Sequence, residues 1–86
     1  MSADSRGRFA ALKAWRTAQA ASAGIPAYMI FSDVTLRGIA ERAPITNAQL
    51  LEVSGVGDAK LARYGQSILA LLAGEHSEIE IGRAHV

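Results

Sequence analysis

The sequence contains no cysteine. That absence removes disulfides, thiolate metal sites and thiol nucleophiles together. Histidine is nearly missing as well: His76 and His85 both lie close to the C-terminal end. The body of the chain therefore has no imidazole base. No phosphate-binding loop of the Gly-x-x-x-x-Gly-Lys-Ser/Thr type occurs, which excludes ATP hydrolysis by this chain. Acidic residues in the body are Asp4, Asp33, Glu41, Glu52 and Asp58. They are scattered over helix starts and exposed faces, whereas two-metal nuclease chemistry needs convergent carboxylates. No catalytic residue, metal or cofactor is expected. No long hydrophobic run exists either. The longest uncharged stretch, Thr17 to Ser32, holds Gly24, Pro26 and small polar residues, so it is no membrane span. The opening Met1-Ser2-Ala3-Asp4 lacks the basic-then-apolar pattern of a signal peptide. These absences together lead to the expectation of a cytoplasmic, non-catalytic domain with no membrane partner.

What is present is one small core. The chain has 86 residues, of which 50% are apolar and 20% charged, which fits a folded single domain rather than disorder. Without disulfides, a domain of this size must hold itself by packing, and a compact helical design is the expectation. The net charge of +1 is unevenly spread. Of nine Lys and Arg, only Arg83 lies beyond Gly74; of eight Asp and Glu, Glu75, Glu78 and Glu80 do. Residues 1–74 therefore carry eight basic and five acidic groups, a net of +3. A polyanion partner is permitted by this bias without being demanded.

The pattern predicts a first helix from near Ser5 to Ala23, capped by Asp4 or Ser5 and stopped by Gly24 and Pro26. Residues 1–7 are expected to be a flexible lead, with Arg6 in it and Arg8 at its frayed end. Phe9, Leu12 and Trp15 form the apolar face, and Arg16 borders it as a buried-edge ion pair or carbonyl cap. Residues 25–31 read as a strand on local propensity, but no partner strand is evident, so they are expected to be an extended connector with some side chains in the core. A second helix follows Ser32, a good cap, and ends before Pro44. Leu36, Ile39, Ala40 and Ala43 share its inner face, and Arg37 and Glu41 form an i,i+4 pair outside. Thr46 caps a short third helix, with Gln49 completing a capping box and Ile45 and Leu50 placed for a hydrophobic staple. Gly55-Val56-Gly57 makes a tight turn. A last helix runs from about Asp58 to Ala73, with Leu61, Tyr64, Ile68 and Leu72 as its buried stripe and Gly74 as its stop. Gly65 interrupts that helix and marks a kink, a division in two, or close packing. The expected core is Leu12, Trp15, Leu36, Ile39, Leu50, Leu61, Ile68 and Leu72.

These residues resemble a known module. Leu12-x-x-Trp15-Arg16, Ile25-Pro26-Ala27-Tyr28-Met29-Ile30-Phe31, Ser32-Asp33-Val34-Thr35-Leu36-x-x-Ile39-Ala40, Pro44, Leu50-Leu51 and Gly55-Val56-Gly57-x-x-Lys60-x-x-x-Tyr64-Gly65 stand in the order and spacing of an HRDC domain. That is the small helical domain appended to helicases and to RNase D. The resemblance runs from Leu12 to about Leu72. It implies an all-α, single-domain bundle of about five short helices over residues 8–74. It also implies an accessory role in nucleic-acid binding beside a catalytic core that this chain lacks. That core would belong to a RecQ-like or UvrD-like helicase, or to an RNase D-like 3′–5′ exonuclease. A monomer is expected. The terminal Glu80-Ile81-Gly82-Arg83-Ala84-His85-Val86 resembles the conceptual translation of a sequencing-adapter read. Residues 75–86 are therefore expected to be an assembly artefact. Continuous raw reads across those codons in independent genomes would contradict this.

Within the resemblance, Gly55-Val56-Gly57 before a helix looks like the phosphate-binding turn of a helix-hairpin-helix. There glycines admit a close backbone approach and N–H groups at the helix start face an anion. Lys60 and Arg63 add mobile positive charge nearby, while Asp58 opposes it. The other reading of the glycines is a tight turn only. Tyr28 either stacks on an unpaired base, worth ~1–3 kcal/mol, or packs on the core with its hydroxyl outward. Lys13 is a candidate phosphate contact, and Arg37 is a further one, half-neutralised by Glu41. The candidate binding residues are thus Tyr28, Lys13, Gly55, Gly57, Lys60, Arg63 and Arg37. The expected partner is single-stranded DNA, with RNA as an alternative. Docking onto a protein is the competing role, favoured by an exposed apolar patch at residues 25–31.

Overall fold

The computed structural model describes residues 2–76, and all of the suspected tail 75–86 except Glu75 and His76 lies outside them. In chain order the elements are α1 (Ala3–Ala23), a 3-10 turn (Ala27–Met29), α2 (Asp33–Arg42), α3 (Asn47–Leu51) and α4 (Asp58–His76). The described residues contain no strand. The fold is all-α as expected, and the described residues form four α-helices and one 3-10 turn against the expected bundle of about five.

Short-range chemistry sets the helix starts. Ser2, not Asp4 or Ser5, caps α1: its hydroxyl accepts from the Ser5 N–H at 3.0 Å. Residues 3–7 consequently belong to the helix rather than to a flexible lead, and Ser5 is buried. Arg8 is not frayed. Its Nε donates to the Ala40 carbonyl at 2.7 Å and ties the start of α1 to α2. Gly24 closes α1 in the left-handed conformation, as expected. Ser32 caps α2 through the Thr35 N–H at 3.2 Å, and Thr46 caps α3 through the Gln49 N–H at 3.1 Å. Gln49 reaches back as in a capping box, but to the Ile45 N–H at 2.8 Å, one residue earlier than the motif predicts. Ile45 is 72% exposed while Leu50 is fully buried, so the expected staple is absent. Helix α4 passes unbroken through Gly65 and past Gly74. Gly65 is buried: a Cβ there would lie 2.9 Å from Cδ1 of Leu61, the flexible tip of a side chain one turn back on α4, and at ordinary contact, 3.6 Å, from Asn47 Oδ1 of α3.

Helix α1 packs along α2 and also touches α4 and the 3-10 turn, while α3 packs on α4. Leu12, Ile30, Leu36, Ile39, Leu50 and Ile68 are fully buried between them. Trp15 and Leu61, expected in the centre, pack against its edge and are only partly buried. The connector inserts Ile30 and Phe31 into the core. Phe31, Trp15 and Tyr64 meet there with ring centroids 5.6 to 6.3 Å apart, and Tyr64 stands edge-on to both partners. Each such edge contact adds ~0.5–1.5 kcal/mol beyond burial.

Candidate nucleic-acid interface

Residues 25–31 lack a partner strand, so their carbonyls need donors from elsewhere. Two cations supply them for the last three, Met29, Ile30 and Phe31. Lys60 Nζ, from the first turn of α4, donates to the Met29 carbonyl at 2.8 Å and also to the Ile30 carbonyl. Arg16 Nη1, from α1, donates to the Phe31 carbonyl at 3.0 Å and pairs with Asp33 at 2.7 Å. Arg16 thus serves as both the buried-edge ion pair and the carbonyl cap. Lys60 Nζ also lies 5.1 Å from the Phe31 ring centroid, near enough for cation–π attraction. Held this way, the 3-10 turn leaves Tyr28 72% exposed and Met29 51% exposed.

A second cluster lies along the α1–α2 seam. Lys13 Nζ stands 4.5 Å from the Phe9 ring centroid, and the Arg37 guanidinium 5.9 Å from the same ring. Both cations are exposed. Among the described residues Arg37 has no ion pair with Glu41; it leans on Phe9 instead. Arg16 sits one turn along α1 from Lys13, and Asp33 one turn before Arg37 on α2. The Phe9 cluster and the clamped turn therefore occupy successive stretches of one seam.

The glycine turn divides in two. Gly55 has φ +96°, and a Cβ there would overlap Thr35 Oγ1. Packing against α2 and a positive φ account for it fully. A Cβ on Gly57 would meet nothing within 4 Å. Gly57 opens α4, its carbonyl accepting from the Leu61 N–H at 2.9 Å. Asp58 occupies the first turn of α4. Arg63 is exposed, on the flank of α4 that also carries Lys60.

The structure thus brings Lys60 to the turn that carries Tyr28, and Lys13 and Arg37 to one ring. It corrects Lys60 from a mobile surface cation to an engaged one, because the partnerless connector takes its donors. Sequence reasoning missed Phe9 as the ring under two cations. The Phe9-to-Lys13 spacing of four was a usable signal; Arg37 reaching that ring from another helix was not.

The family model described as HRDC domain matches residues 5–72. The chain belongs to the HRDC family. The ATP-dependent DNA helicase UvrD2 of Mycobacterium tuberculosis is 43% identical to this HRDC domain over 63 residues, 73% of this chain and 9% of that protein. The ATP-dependent DNA helicase RecQ of Haemophilus influenzae is 41% identical over 71 residues, 83% of this chain and 11% of that protein. Among solved structures, the D. radiodurans RecQ HRDC domain 3 superposes with a TM-score of 0.76 at 32% identity, covering 79% of this chain and 90% of that one. The HRDC domain spans about a tenth of the length of these two helicases.

Proposed function

We propose that this HRDC domain is a non-catalytic nucleic-acid-binding module that prefers single-stranded DNA. It would work beside the catalytic core of an ATP-dependent DNA helicase in the cytoplasm, and as a monomer. The observation that carries the reading is Tyr28: an aromatic ring 72% exposed on a turn whose backbone is fixed by two cations. An exposed aromatic ring is a sequence-tolerant stacking platform for an unpaired base. Lys13, Arg37 and Arg63 supply phosphate contacts along the approach, and Gly57 leaves room for a backbone at the start of α4. Gly55 supports the turn by packing. The helicase relatives favour a helicase parent over an RNase D-like one.

With ~2–4 phosphate contacts, the log–log salt slope for a single strand should be about −1.4 to −2.8. Binding by the isolated module would be weak and gain its use from tethering to a stronger core. Fluorescence anisotropy of the chain against labelled single-stranded DNA, duplex DNA and single-stranded RNA, at two salt concentrations, tests this. Salt-sensitive binding that favours single-stranded DNA is expected. Absence of binding at low salt would reject it. Met29 at 51% and Val34 at 79% exposure favour a second reading, docking onto a protein surface. That reading would gain from a negative result.

A further inference from the structure

We propose that Lys60 and Arg16 act as positioning residues, a two-cation clamp on three consecutive carbonyls that sets how Tyr28 is presented to a single strand. The inference rests on the nucleic-acid reading above and moves Lys60 within it from a phosphate contact to a support. The turn that carries Tyr28 is three residues long. Its own backbone bonds are Met29 N–H to the Pro26 carbonyl and Ile30 N–H to the Ala27 carbonyl, both at 3.0 Å. Such a short 3-10 segment has poor hydrogen-bond geometry and gains little from cooperativity. What holds it is below and beside it: Ile30 and Phe31 are buried, and the carbonyls of Met29, Ile30 and Phe31 accept from Lys60, Lys60 and Arg16 in turn.

Hydrogen bonds from charged donors are about twice as strong as neutral ones. An ammonium has three N–H donors, and two of those on Lys60 go to carbonyls while its charge faces the Phe31 ring. Little directed capacity remains for a phosphate. A stacking ring on an unordered loop spends part of its gain on ordering, so a turn fixed in advance binds more tightly with the same contact. The clamp supplies that order from two different helices.

The test is a double-mutant cycle in the 86-residue chain with labelled oligothymidylate. Lys60→Met keeps the side-chain stem and removes the donors. It should weaken binding about three- to ten-fold when Tyr28 is present and less than about two-fold in a Tyr28→Ala background, the signature of coupled residues. The salt slope should stay at the wild-type value. Additive losses, with a slope shallower by about 0.7, would make Lys60 a phosphate contact and overturn the proposal. A second arm needs no DNA. In Lys60→Met, and equally in Arg16→Met, backbone order parameters at residues 28–30 should fall well below the rigid value of ~0.85 while α1 and α4 keep theirs. Lys60→Arg should restore them. Unchanged order parameters overturn the clamp. Failure of the wild-type chain to bind any single strand overturns the nucleic-acid reading instead, so the two failures are told apart.

Discussion

Gly55 and Gly57 differ in what a single methyl group would do to them. Gly55→Ala would force a non-glycine residue to φ +96° and drive its Cβ against Thr35 Oγ1. Strain of that kind costs of order 1–3 kcal/mol before the overlap is counted, so urea melts should show a loss of at least ~2 kcal/mol. Gly57→Ala meets open space and should change stability by less than about 0.5 kcal/mol. If it nevertheless weakens single-strand binding, the open backbone at that position is a contact; unchanged affinity would remove it from the binding face. In the sequence the two glycines look equivalent. The positive φ of Gly55 and the position of Thr35, on another helix well upstream, separate them. Burial divides the expected core residues in the same way. Ile39 is fully buried, and Ile39→Ala should cost ~2–5 kcal/mol. Leu61 is half-buried at the rim, so Leu61→Ala should cost less than Ile39→Ala in the same melts. The reverse order would misplace the core.

The helices are legible in the sequence where their ends are made by near neighbours. Ser32, Thr46 and Gly24 read as caps because a hydroxyl reaches two or three residues ahead, or a glycine turns left, whatever the rest of the chain does. Ser32→Ala should therefore destabilise by ~1 kcal/mol in thermal or urea melts. The start of α1 is made just as locally, by Ser2, but Asp4 and Ser5 are equally good caps by type; the anchoring of Arg8 on Ala40 of α2, far along the chain, is not legible at all. The connector shows the same limit. Its β-branched and aromatic residues favour a strand locally, but the donors that fix it come from Arg16 and Lys60, on helices before and after it. The end of α2 carries a local conflict: Ala43 takes φ +48°, a left-handed position that usually falls to glycine, directly before Pro44. Relief of that strain outweighs the added freedom of the unfolded chain, so Ala43→Gly should raise stability by up to ~1 kcal/mol. A loss would show that the left-handed cap is unstrained.

For the whole molecule, the family and the all-α class can be read from spaced motifs because those motifs mark the caps and core positions that define the bundle. The binding face can be read only in part. Tyr28, Lys13 and Arg37 stand exposed as their types allow, yet the contacts linking them into one seam, Phe9 under two cations and Arg16 between the helices, exist only once α1 and α2 are packed. Ile45, just before α3, and Leu51, at its end, are exposed and uncharged, 72% and 40% respectively, and belong to none of the seam's contacts. The measurement that separates the faces is a titration of the ¹⁵N-labelled chain with single-stranded oligothymidylate at low salt, followed amide by amide. Shifts should concentrate at Tyr28, Met29, Lys13, Arg37 and Arg63 and leave Ile45 and Leu51 in place. Shifts confined to the α3 side, or none at saturating oligonucleotide, would contradict single-strand binding through the clamped turn.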